Sequence, residues 1–471
     1  FVRYRVSYPK VGVFVLEPNG NMNYSWAYTE VFLNTVADFY KSDSILIGGG
    51  LVSTFLRMVE SPNFGNYIQS PSQNSFNPPY DFDFVIPPSY KGNSMETLQG
   101  NKITSAVLNR GDWAWDPVAQ IPLYDIPRGS DKRTLYTAAI WMGGFDTGGQ
   151  LYTAAMTYRQ NSSRDFQPGP LDTAGNSDIL TTSVFDHIWM TRKSDIDEFR
   201  DQFAMGNVTN GTYIVPQYIL DWPASYNATA YPQNLAPFVD VNGDGEYNPY
   251  DGDFPEVKGD QMSWCVFNDD MSKTETNSNP MFVEIHASAF GSNCISAPDA
   301  LGRLLSYTTF YHFDVYNRGA IDFDSCYFGI WSDFDLGNAI DDMVGCNLSA
   351  NSYYVYNGDI DDEGSGGYGL CAPTQSVSFL KGPLAPSGDG IDNNHNGLAD
   401  EANEELGLSA FTYYVNTNNI PIGNPNLKDD YYQYLSGSWA DGVPITIGGY
   451  GRGGGTGATI VPTSFLFSEK L

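Results

Sequence analysis

The chain opens with strict alternation. Val2, Tyr4, Val6 and Tyr8 fall on one side of an extended segment, and Arg3, Arg5 and Ser7 on the other, a pattern that predicts a strand. Residues 11–16 continue as an apolar run, and Glu17-Pro18-Asn19-Gly20 ends it in a turn. Residues 60–100, rich in Pro, Asn, Ser and Tyr, predict a long irregular excursion. Residues 134–144 and 150–160 predict two strands joined around Phe145-Asp146-Thr147-Gly148-Gly149. A helix is expected from Ser194, which can cap it with Asp197 three residues on, and Ile196, Phe199 and Phe203 share one face. Short helices are expected at 218–222 and 429–435.

Downstream, residues 281–290 set Met281, Val283, Ile285, Ala287 and Ala289 against Phe282, Glu284, His286 and Ser288. Residues 307–316 and 326–331 predict a further strand pair, with Asn317-Arg318-Gly319 starting its turn. The fold class that follows is mainly β. It is β-sandwich-like, with long ordered loops, a few short helices, and sheets covered on one side by core and on the other by loops. The glycine-rich 448–457 segment is expected to be flexible or loop-forming. Three divisions are expected: 1–130, 131–260 (a hairpin and short helices ending in an acidic loop) and 261–471.

Composition narrows the setting. Aromatics are 15% of residues and Gly and Pro number 48 and 28, which favours short strands and turns over helices. Against 24 Lys+Arg stand 55 Asp+Glu, a net charge of −31. Such a chain repels itself, excludes nucleic acid and anionic membrane surfaces as partners, and invites divalent cations. The longest apolar candidate for a membrane span, residues 44–56, is too short and carries three glycines, so direct membrane insertion is not expected. Phe1 follows no signal peptide, and an export signal removed or lying outside the sequence is expected. Five cysteines at irregular spacing give no zinc pattern. They leave two readings open: a bridge from Cys326 or Cys346 to Cys371, or buried thiols.

The residues 240–251, DVNGDGEYNPYD, carry the clearest chemistry. Asp240, Asn242, Asp244, the carbonyl of Glu246, and Asp251 fall at the oxygen-ligand spacing of a twelve-residue calcium loop, and Gly245 supplies its sharp turn. Pro237 and Pro249 argue against flanking helices. A second run offers Asp392, Asn394, Asn396 and Asp400 around Gly397; its amide oxygens add less charge. A third cluster is Asp333, Asp335, Asp341 and Asp342, with Asp359, Asp361, Asp362 and Glu363 folding back beside it or, alternatively, solvated acids throughout. Calcium would be structural: a loop with a Kd near 10⁻⁴ M in millimolar calcium gains about 1.4 kcal/mol.

Catalytic signals are thin. Asp146-Thr147-Gly148 matches half an aspartic-protease signature but equally a hairpin turn, and its second copy is missing. Trp113, Trp115 and Trp439 could stack on sugars beside paired carboxylates, or simply pack a core. His187, His286, His312 and His395 lack zinc spacing, and no GxSxG elbow is present.

Six blocks together resemble a family of large secreted proteins of Bacteroidota that carry type IX secretion sorting domains. They are IWMGGFDTGGQLYTAAMTYRQ (140–160), DFQPGPL (165–171), LAPFVDVNGDGEYNPYDGDFP (235–255), GIWSDFDLGNAIDDMVGC (329–346), YNGDIDDEGSGGYG (356–369) and GDGIDNNHNGLADE (388–401). The resemblance implies export, with display on the cell surface or release, and no particular activity; the sorting domain itself is not in this sequence. The expectation is a non-enzymatic extracellular surface protein, an adhesin or a subunit of a surface filament or sheath. Its partners would be copies of itself, other surface proteins or glycans. In a polymer, residues 2–8 or the glycine-rich tail would pair with a neighbour's sheet edge. The alternative is a secreted polysaccharide-binding or polysaccharide-degrading enzyme.

Overall fold

The computed structural model describes residues 94–158, 163–226, 231, 234–294, 300–364, 366–394, 396–419, 421–448, 451–452 and 461–467, with four backbone strands before residue 59. The chain forms two compact units, Phe1–Lys91 and Gly92–Leu471. In the first, an antiparallel sheet runs in the order Met22–Ala27, Val11–Leu16, Leu46–Gly49, Thr54–Met58. The apolar run at 11–16 is thus a strand. The strand expected at 2–8, the turn at 17–20 and most of the glycine-rich segment lie outside the described residues. The positions expected as divisions, after residues 130 and 260, fall inside the second unit, where strand pairing crosses both.

The protein is mainly β, 32% strand and 13% helix. The second unit is built on two antiparallel sheets. In the seven-stranded sheet, Thr137–Asp146 lies between Phe323–Asp333 on one side and Asp112–Trp113 and Leu151–Ala155 on the other. In the five-stranded sheet, Gln261–Asn268 pairs with Val283–Gly291, which pairs with Thr309–Asn317 at the edge. Period two sorts their side chains. Ile140 and Met142 from one sheet meet Cys265, Phe267, Val283 and Ile285 from the other in a shared core. Trp113 stacks on Tyr311 across it, centroids 4.7 Å apart.

The opposite faces are apolar too, and each is covered. Trp141 and Ala155 pack against Tyr431 and Tyr434 of helix Lys428–Leu435, with Trp439, Ile445 and Leu466. Met262, Trp264 and Val266, with Trp189 beside Trp264 on the neighbouring strand, pack against Phe185, Trp222 and Leu235 from the loop-rich 185–236 region. That is why the strands at 137–146 and 261–268 are buried almost throughout instead of alternating. Trp113, Trp115 and Trp439, considered as sugar platforms, are 6%, 4% and 6% exposed and serve as core.

Several elements differ from expectation. Strands Thr309–Asn317 and Phe323–Asp333 do not pair with each other; each pairs across nine positions with a different sheet. The connection at 318–322 crosses the sandwich, and a hairpin and a sheet-to-sheet crossing leave the same alternation in sequence. Helix Lys193–Ala204 starts at Lys193, so Ser194 lies within its first turn and its hydroxyl bonds Asp195 instead of capping. Its predicted face is right: Ile196 and Phe199 are buried with Phe203 packed beside them. All five cysteines are free thiols, so neither Cys326 nor Cys346 bridges Cys371. Burial pushes the Cys265 thiol up to about 12 and Cys346 up to about 11. Hairpin Thr137–Asp146 and Leu151–Ala155 forms as expected. The Asp146 carboxylate accepts the N–H groups of Gly148 (2.9 Å) and Gln150 (2.8 Å), so its chemistry is that of a turn.

Three acids at the heart of the unit each hold several hydrogen bonds. Asp269 and Lys273 are wholly buried, 2.6 Å apart; Asp269 also accepts the N–H groups of Met281 and Val283, and Lys273 donates to the Thr153 carbonyl. Asp165 accepts the Ala155 and Glu275 N–H groups and the Thr276 hydroxyl. Glu275 accepts from Thr157 and Tyr431. Burial holds both Asp165 and Glu275 above the ordinary carboxyl range, and Asp165 repels Glu275 further.

Two outcomes are expected. Phe267→Ala, fully buried between the sheets, should cost about 3–5 kcal/mol in urea denaturation. Asp165 and Glu275 bind protons more tightly folded than unfolded. The stability they contribute is therefore complete below about pH 4 and is lost as pH rises through their raised values. Glu275→Gln, which keeps an acceptor for Tyr431, should show a shallower fall in stability between pH 4 and neutrality than the unaltered protein.

Candidate functional site

Two acidic loops are built to one plan. The first sits on a ribbon in which Phe238 pairs with Pro255 and Val239 with Phe254. Asp240 accepts the N–H groups of Gly243 (2.7 Å) and Gly245 (2.8 Å). Asn242 Oδ1 accepts from the Asp244 N–H and Asp244 Oδ1 from the Glu246 N–H, at 3.0 and 2.8 Å. The second loop rises from a bridge between Leu384 and Glu405. Asp392 accepts the N–H groups of Asn396 (3.0 Å) and Gly397 (2.8 Å), Asn394 Oδ1 accepts from Asn396 N–H, and Asn396 Oδ1 from Leu398 N–H. The sixth position is glycine in both, with φ of 81° at Gly245 and 97° at Gly397, backbone that disfavours a side chain.

Each loop is closed by an acid that the ligand spacing does not include. Asp253, fully buried, accepts the N–H groups of Val241 (2.8 Å) and Asn248 (2.9 Å), one on each oxygen. Glu404, also buried, accepts those of Asn393 (2.6 Å) and Asp400 (2.9 Å) in the same way. The second and ninth loop positions are thus tied to one return carboxylate in both. Sequence reading stopped at Asp251 and Asp400. The missed signal is an acid just past each loop where the chain turns inward, at Asp253-Phe254-Pro255 and at Glu404-Glu405-Leu406.

Most of the expected ligands are exposed, and Asp240, Asp244 and Asp251 do not bring their carboxylate oxygens within 4.8 Å of one another. Asn242, Asp244, Glu246, Asp251, Asn396 and Asp400 are exposed, and Asp240, Asp392 and Asn394 half-buried. Asp251 accepts from the Asn248 amide (2.5 Å), and Asp400 accepts the Gly390 N–H (3.1 Å). The first loop is seated by Tyr247, whose hydroxyl donates to the Ile219 carbonyl (2.6 Å) and whose ring meets Phe238 edge-on.

The third cluster resolves into two parts. Asp341, Asp359 and Glu363 bring carboxylate oxygens within 4.8 Å of one another and could hold a metal ion; among the described residues this is the group of three acids that does so. Asp333, Asp335 and Asp342 stand apart from it. Asp333 accepts the Tyr158 hydroxyl, and Asp342 accepts the Leu336 N–H (2.9 Å). Burial, then the Asp333 charge, pushes Asp335 up to about 7. Burial, then Asp362, Asp335 and Asp341, pushes Asp342 up to about 7. Asp362 itself is buried and accepts the N–H groups of Asn338 (2.9 Å) and Tyr368 (2.7 Å). Acids gathered this closely favour a proton or a cation among them.

Comparison with protein-family models, curated proteins and solved structures finds no match. No helix among the described residues is long and apolar enough to cross a membrane.

The return acids have a direct test. In chelator, Asp253→Ala or Glu404→Ala leaves two part-buried N–H groups unpaired and should cost about 1–3 kcal/mol in urea denaturation. Asp251→Ala, at an exposed position, should change stability by about 0.5 kcal/mol or less.

Proposed function

We propose that this chain is a non-enzymatic extracellular surface protein, an adhesin or a subunit of a surface filament or sheath, with loops braced by calcium. The observation that carries the reading is the shared construction of the loops that begin at Asp240 and Asp392. Two stretches far apart in sequence reach one backbone scheme, each presenting oxygen donors and each anchored by a buried acid. An oxygen-only donor set suits a hard cation, and calcium tolerates the irregular, partly backbone coordination such loops provide.

Asp240, Asn242, Asp244, the Glu246 carbonyl and Asp251 would hold one ion. Asp392, Asn394, Asn396 and Asp400 would hold a second, and Asp341, Asp359 and Glu363 a third. The ions would supply positive charge to a chain of net charge −31 and fix loops that the hydrophobic layers do not reach. The resemblance to exported Bacteroidota proteins supports an extracellular setting, where millimolar calcium keeps weak sites filled.

Removing calcium with a chelator should lower the melting temperature, with a loss of about 1.4 kcal/mol per occupied site. Antibody labelling of intact cells should find the protein accessible. Unchanged melting would remove the bracing role, and signal only after cell lysis would remove the surface setting.

A further inference from the structure

Among the described residues the sandwich is open along one side. Strand Thr309–Asn317 ends the five-stranded sheet, pairs there only with Val283–Gly291, and has no backbone partner on its outer side among the described residues. Strand Phe323–Asp333 borders the seven-stranded sheet on the same side, where Phe313 and Phe328 meet with centroids 6.0 Å apart. Their inward residues are not fully covered: Val315 is 44% exposed and Phe328 39%. The second strand is blunted by an irregularity opposite Gly144, with Ser325 at φ 51°. The first keeps unbroken register over all nine residues and has no proline or lysine. An unprotected edge beside half-covered core side chains is a template for one more strand.

The required strand is specified by the two faces it would extend. Its inward residues would lie over Phe313, Val315 and Phe328 and must be apolar. Its outward residues would flank Asp314, which is 52% exposed and 3.2 Å from His312 Nε2, so that a basic residue there would face the open side of the carboxylate. Residues 2–8 alternate in this way, with Val2, Tyr4, Val6 and Tyr8 against Arg3 and Arg5. In a chain with 24 basic residues among 471, this acid-free segment with two arginines suits an edge strand whose one carboxylate is that of Asp314.

We propose that residues 2–8 of one copy add a strand to the Thr309–Asn317 edge of a second copy, so that copies assemble head to tail. The inference rests on the surface-protein reading and names its partner as the chain itself. Seven extended residues span about 23 Å, within the length of a nine-residue edge. A head-to-tail contact does not close on itself and therefore propagates.

The 471-residue chain in calcium is tested by sedimentation across a concentration series. Concentration-dependent assembly is expected. Arg3→Glu with Arg5→Glu should raise the concentration needed by about tenfold or more, as should Asp314→Arg. Combining all three substitutions should restore assembly, since opposite charges again face each other. Melting curves confirm that each variant is folded. A protein that stays monomeric, variants that assemble like the unaltered chain, or a combination that restores nothing would overturn the proposal. Calcium-dependent melting alongside a monomer would remove this contact alone and leave the calcium-braced reading standing.

Discussion

A strand that is apolar on both faces cannot meet water on either, and the second unit is organised by that constraint. Once Ile140 and Phe267 join two sheets, Trp141 and Trp264 are left on the outer faces. Covering them requires two more layers. The helix Lys428–Leu435 with its following loops forms one, and the loop-rich 185–236 region forms the other. The abundance of aromatic residues follows, because irregular chain covers a sheet best with large flat side chains whose polar tips bond nearby carbonyls. Tyr434, donating to the Pro421 and Gly423 carbonyls, shows the device.

Acid excess is managed in two ways. Inside the layers, carboxylates such as Asp269, Asp165 and Glu284 are saturated with N–H, hydroxyl, lysine, arginine or histidine donors. Elsewhere, half-buried Asp335 and Asp342 have few donors, and burial first, then neighbouring acids, pushes both up to about 7. The division explains why a chain this acidic can still bury charged groups. Each buried one fixes a specific junction: Asp269 ties the strand Val283–Gly291 to Lys273, and Asp165 ties Ala155 to Glu275 and Thr276.

Local elements were legible in the sequence because local rules determine them. The hairpin around Asp146, the face of helix Lys193–Ala204 and the helix at 428–435 follow from turn chemistry and periodicity. Pairing was less legible. Strands Thr309–Asn317 and Phe323–Asp333 are neighbours in sequence yet belong to different sheets, a choice made by distant partners at 283–291 and 137–146. At the loops, the spacing of Asp240, Asn242, Asp244 and Gly245 is a local code and could be read directly. Asp253 and Glu404 carry only a weak signal, an acid just past each loop, and burial is what separates them from the surrounding acids. The grouping of Asp341 with Asp359 and Glu363 likewise depends on the strand pairing of Asp342 with Asn357.

On the proposed reading, those return acids would change what an arriving cation has to do. Because Asp253 and Glu404 already clamp two backbone amides apiece, each turn is shaped by the chain's own hydrogen bonds. Little ordering entropy would then be lost on capture, and affinity would be governed chiefly by the exchange of hydration water for side-chain oxygen. Loops prepared in this manner would fill and empty as the surrounding ion concentration changes, without the chain having to refold each time.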